Sequence, residues 1–180
     1  MKLAKRSSTR SRTGPLGVLC VLLVDSEDPV PSELPKPLVE TPEEREVREH
    51  ADAQARKDYL VQRDHWELNG YPPEQIHLMV QCMETWIVAD PDGLRKYYKK
   101  NFHPERLPVR SNLEDEPKDQ VALKFAAATR ETGKEYAADG TAKGRHSGKI
   151  LSFLSAGAVA KRCPRFATFT AWLGKRIAEV

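Results

Sequence analysis

Eight consecutive apolar residues, Gly17-Val18-Leu19-Cys20-Val21-Leu22-Leu23-Val24, run directly into Asp25-Ser26-Glu27-Asp28. No other stretch constrains the fold as strongly. The run is far shorter than the ~20 residues needed to cross a bilayer. It shows neither the two-residue alternation of a half-solvated strand nor helical spacing, and it contains β-branched valines. Such a segment reads as a strand covered on both faces, as in a parallel sheet flanked by helices. Lys2, Lys5, Arg6, Arg10 and Arg12 precede it and superficially copy a secretory signal. The run nevertheless ends in acids with no small-residue cleavage site, which favours the buried strand. Residues 1–15, without apolar periodicity, are expected to form a disordered basic tail, and residues 16–180 a single α/β domain.

Downstream, prolines at 29, 31, 35 and 37 forbid regular structure, so an extended loop is expected over residues 29–40. Thr41-Pro42-Glu43-Glu44 has the form of a capping box with proline at the first helical position, and predicts a helix reaching about Trp66. Its stripe of Val47, Ala51, Ala55 and Tyr59 is thin, so its first half should lie at the surface. Ile76-His77-Leu78-Met79-Val80 reads as a second buried strand, with His77 a core histidine. A helix is expected from Met83 to Ala89, and another after Asp90-Pro91. Residues 101–116 read as a polar, proline-containing connection, and residues 117–132 predict a helix packed through Val121, Leu123, Phe125, Ala126 and Ala128. Residues 133–148 read as a glycine-rich basic loop, with Ser147 capping a short helix over 150–154. A last helix starts near Pro164, with Phe166, Phe169, Leu173 and Ile177 as its core face.

Charge and cysteines narrow the setting. The net charge of +3 divides into +5 over residues 1–23, −9 over 24–116 and +7 over 117–180. An acidic centre beside a basic C-terminal third could place a metal site next to a phosphate-binding surface, or simply form two solvated faces. Cys20, Cys82 and Cys163 are odd in number and have no zinc spacing, which suits a reducing cytoplasm. Cys20 and Cys82 sit in apolar runs and read as small core residues.

Three groups could carry chemistry. Ligands bind beyond the carboxyl ends of strands in open parallel sheets, and Asp25 and Glu27, two apart, would point the same way. With Asp28 they form an oxygen-donor set suited to Mg²⁺ or Mn²⁺. Glu84, a few residues after the second strand, would join them if the strands are parallel neighbours. Alternatively, it complements a helix dipole. Arg130, Lys143, Arg145 and His146 flank and fill the basic stretch and form a candidate phosphate cradle. Walker spacing, a dinucleotide fingerprint, a zinc pattern and a Ser-His-Asp set are all missing from the sequence.

Four stretches together resemble a bacterial family of unknown function grouped with the Toprim-like domains. They are residues 22–30, the segment His77-Leu78-Met79-Val80-Gln81-Cys82-Met83-Glu84-Thr85-Trp86-Ile87-Val88-Ala89-Asp90, Ala128-Thr129-Arg130, and Lys143-Gly144-Arg145-His146-Ser147. The resemblance runs from about Leu16 to Leu173, with an insertion over residues 31–57. It implies a Toprim-like fold, a small parallel sheet flanked by helices with a helical C-terminal half. It also implies Mg²⁺-dependent, nuclease-type action on phosphodiesters, with Asp25 and Glu27 matching the family's acidic pair. The family's first strand and its glutamate have no counterpart here, so the chain resembles an N-terminally truncated member. A cytoplasmic role in a bacterial phage-defence system, with nucleic acid and a partner ATPase and no membrane, is implied in the same way. The contrasting expectation is an inactive nucleic-acid- or protein-binding module that keeps the acidic pair as a remnant.

Overall fold

The computed structural model describes residues 19–30, 39–136 and 143–179, with only the backbone over 143–145. The expected basic tail, most of the proline loop, the first two residues of the expected strand and the side chains of Lys143 and Arg145 lie outside the described residues. The described elements are strand β1 (Leu22–Asp25), helix α1 (Pro42–Asp64), strand β2 (Ile76–Met79) and helices α2 (Met83–Val88), α3 (Pro91–Tyr98), α4 (Lys118–Thr129), α5 (Lys143–Leu151), α6 (Ala156–Arg162) and α7 (Pro164–Ala178). The protein is thus α/β, dominated by helix.

β1 and β2 pair in parallel, with Leu22 opposite Ile76 and Asp25 opposite Met79. Alternation along the strands divides their side chains between two cores. Leu22, Val24, Ile76 and Leu78 face one way, onto Leu60 and Tyr59 of α1. Leu23 and Met79 face the other way, onto the larger core of Ile87, Leu94, Val121, Phe125, Ile150 and Val159. His77 points to that second side as well and sits against Phe169 and Trp172 of α7, with ring centroids 5.0 and 4.6 Å apart. Every position of β1 is only half-buried, so the expected coverage on both faces is incomplete there.

Local signals explain most element boundaries. The capping box at Thr41 is formed: Glu44 donates its amide to the Thr41 hydroxyl, and Thr41 donates its own amide to Glu44 Oε2 at 2.8 Å. α1 ends in a left-handed His65. Asp90 caps α3 by accepting from Gly93 N at 3.0 Å, and its second oxygen accepts from Ser155 N at 2.7 Å. One buried carboxylate therefore joins the starts of α3 and α6. Asp52 makes another tie: Arg165 of α7 donates to both its oxygens at 3.0 Å, and Arg56 donates to it as well.

Four expectations change. The basic stretch from Lys143 opens α5 rather than lying in a loop, so Ser147 lies inside a helix rather than at its start. Leu123 is 56% exposed and Ile177 is 65% exposed, because the core-facing arcs of α4 and α7 are narrower than their apolar spacing. Cys20 is exposed, since it precedes the paired part of β1. The segment 101–116, read as polar, buries Leu107, Leu113, Glu114 and Glu116.

Candidate functional site

Parallel pairing carries the C-terminal ends of both strands to one edge. The hydrogen-bond ladder continues past them, with Ser26 N on the Met79 carbonyl at 3.0 Å and Glu27 N on the Gln81 carbonyl at 2.8 Å. The Val80–Gln81 peptide bond is cis. Asp25 Oδ1 accepts from Met83 N, the first amide of α2, at 2.9 Å. A carboxylate on a helix's first amides is favourable for both the hydrogen bond and the dipole. Asp25 and the start of α2, which carries Glu84 in its first turn, therefore share one edge.

The four acids have different surroundings. Ser26 is buried and donates to the Asp28 carbonyl at 2.7 Å, which folds the segment into a tight turn. Glu27 adopts φ 66°, a left-handed conformation uncommon outside glycine, asparagine and aspartate. Its side chain is about half-exposed, and Lys118 Nζ donates to its Oε2 at 2.7 Å. That hydrogen bond raises the Lys118 pKa, helped by the charges of Glu27 and then Asp28, against a small desolvation effect. Glu84 is buried and accepts from the Tyr136 hydroxyl at 2.7 Å. Burial first, and then the Glu84 carboxylate, hold the Tyr136 phenol far above its ordinary range. Cys82 lies among these groups, and burial pushes its thiol up to about 11, so it is an inert neighbour rather than a thiolate ligand. Among the described residues, no three His, Cys, Asp or Glu side chains converge as a ready-made metal cage.

The turn is held from beneath by α1. Tyr59 donates its hydroxyl to the Ser26 carbonyl at 2.6 Å, and Arg63 donates to the Asp25 carbonyl at 2.9 Å and to that of Ser26. Tyr59 stood out in the sequence only as part of an apolar helix stripe, and Arg63 and Lys118 not at all. Each comes from a helix remote in the chain, and nothing local to the acidic turn points to it.

Of the basic residues, His146 and Lys134 meet at Tyr97. His146 Nδ1 lies 3.0 Å from the Tyr97 hydroxyl, and Lys134 Nζ sits 4.9 Å from the centre of its ring. Arg130 is exposed at the C-terminal end of α4. His146 is thus tied to Tyr97 of α3, and Lys134 joins it.

Two parallel strands, an acid-rich C-terminal edge and a helical C-terminal half define a small α/β protein whose candidate site lies at the strand ends. The chain belongs to the family described as Domain of unknown function (DUF4276), whose model matches residues 2–174. The match begins well before Leu16. No curated protein and no solved structure matches the chain. No helix among the described residues is long and apolar enough to cross a membrane.

Proposed function

We propose that the chain is a Toprim-like, Mg²⁺-dependent protein acting on phosphodiesters, with its working site at the β1–β2 edge. One observation carries this reading: Asp25, Glu27 and the start of α2 are drawn to the same end of a parallel strand pair, where ligands of open α/β sheets bind. Glu27's left-handed backbone supports it, since such conformations cost about 1–3 kcal/mol and gather at functional sites.

The residues fit a hard cation that keeps most of its waters. Mg²⁺ binds through one or two carboxylates together with substrate phosphate oxygens, so a closed cage is unnecessary. A carboxylate has about four acceptor positions, and the Met83 amide on Asp25 Oδ1 is compatible with coordination by that group. The Glu27–Lys118 pair is half-solvated, and exposed pairs of this kind are weak because water screens them, so an incoming ion can displace it. Asp25, Glu27 and Asp28 would hold the ion, and Glu84, behind Tyr136, shapes the edge's charge. When bound, a divalent ion neutralises phosphate oxygens and acidifies a coordinated water. Lys118 is placed to meet a phosphate when it leaves Glu27. His146, with Lys143 and Arg145 at the start of α5 and Arg130 at the end of α4, supplies cations for nucleic-acid backbone.

The test is cleavage of single- and double-stranded DNA and RNA with Mg²⁺ or Mn²⁺, comparing wild type with Asp25→Asn/Glu27→Gln. Metal-dependent cleavage lost in the double variant supports the reading. Cleavage that survives it, or none on any substrate, would remove it.

A further inference from the structure

The first half of α1 and the second half of α7 face one another across a gap. A cavity of about 910 Å³ opens between them, with His77 on its floor. One wall is the start of α1. Glu43, Glu46 and Glu49 recur there at a spacing of three, which keeps them close along one side of the helix. Val47, 70% exposed, stands among them with Ala51 nearby. The other wall brings Ala171 and Trp172 from α7.

The charged groups of this cavity sort into two sets. Arg48 pairs with Glu40, Arg56 with Asp52, Arg176 with Glu179, and His50 with Glu74. Glu43, Glu46 and Glu49 have no ion pair among the described residues, and Lys175 on the facing wall is the one cation of the lining in the same position. The groove is therefore apolar at its base, and three acids against one base remain for an incoming group to match. An exposed valine beside acids at regular spacing adds nothing to this domain's own core. It is suited to a partner that brings apolar and cationic side chains together.

We propose that the α1–α7 groove is a docking surface for a basic, apolar-containing peptide segment of a partner protein. Lys or Arg side chains of the segment pair with Glu43, Glu46 and Glu49, and an apolar side chain enters beside Val47 and Trp172. This surface is separate from the strand-edge site, and its existence does not depend on phosphodiester chemistry.

The experiment uses the whole chain and a fluorescently labelled peptide of alternating Lys and Leu, about twelve residues long, read by anisotropy at two salt concentrations. Wild type should bind it. Glu43→Gln/Glu46→Gln/Glu49→Gln should weaken binding about tenfold, which corresponds to three surface ion pairs. A control with the same change in net charge, Asp92→Asn/Glu105→Gln/Asp115→Asn, should shift it less than about twofold, because those acids lie outside the groove. Circular dichroism checks that α1 persists in the triple variant. Absence of wild-type binding, or equal losses in both triple variants, would overturn the proposal. So would tighter peptide binding after Lys2, Lys5, Arg6, Arg10 and Arg12 are replaced by Ser, because the chain's own cations would then be the occupant.

Discussion

His77 should make the protein acid-sensitive in a defined pH window. Its side chain is 4% exposed, sits between Phe169 and Trp172, and leaves Nε2 without a hydrogen-bond partner. Burial chiefly, and the charge of Arg56 next, lower its pKa from 6.5 to about 4, against a backbone hydrogen bond at Glu74 and the charge of Asp52, while Arg165 adds to the lowering. A folded-state pKa below the unfolded one means that the unfolded chain takes up a proton that the folded chain refuses. Stability is therefore intact above pH 6.5 and falls as pH drops towards 4. With those two values, linkage gives a loss of about 2 kcal/mol between pH 7 and pH 5, approaching about 3 kcal/mol below pH 4. His77→Phe removes the titrating group while keeping an aromatic ring among its neighbours. Urea unfolding of both proteins at pH 8, 7, 6 and 5 isolates the effect, because the two differ only at the titrating imidazole. The wild-type curve should fall below that of the variant by about 2 kcal/mol more at pH 5 than at pH 7. Parallel pH dependences would mean that His77 Nε2 reaches water or a partner.

Gly93→Ala should destabilise α3 although alanine favours helices, because the new Cβ would lie 2.7 Å from Asp90 Oδ2 and 2.8 Å from the Phe153 carbonyl. Thermal unfolding should show a loss of about 1–3 kcal/mol, and an unchanged midpoint would contradict the close packing. Asp52→Asn removes the charge that the buried Arg56 and Arg165 share, so chemical denaturation should report a loss of about 3 kcal/mol. Glu27→Gly relieves the positive φ at the strand exit and should leave stability unchanged or raised by about 1 kcal/mol. The same change should weaken the response to Mn²⁺, and retention of the full response would remove Glu27 from the cation set.

Both strands, the parallel pairing and the capping boundaries at Thr41 and Asp90 were legible in the sequence, because each rests on a local signal: an apolar run, or a cap with proline behind it. The shared edge of Asp25 and Glu84 followed from that pairing. What the chain hid was long-range. Lys118 reaches Glu27 across 91 positions, and Tyr136 reaches Glu84 across 52, with no periodicity to announce either contact. The basic stretch from Lys143 misled because its glycines suggested a loop, whereas α5 is held by Ile150 in the core and His146 on Tyr97. Leu123 and Ile177 show the limit of reading apolar residues as core, since helical spacing gives a direction and not the width of the surface that covers it.

Calorimetric titration of the whole chain with Mn²⁺, with thermal unfolding in parallel, asks whether Asp25 and Glu27 hold a divalent cation. Wild type should bind and gain melting temperature as the ion concentration rises, by mass action on the folded state. Asp25→Asn/Glu27→Gln should lose both the heat of binding and the gain, while Glu84→Gln, changed behind Tyr136, should keep most of each. Wild type that binds no Mn²⁺, or a double variant that binds it as well as wild type does, would contradict the account.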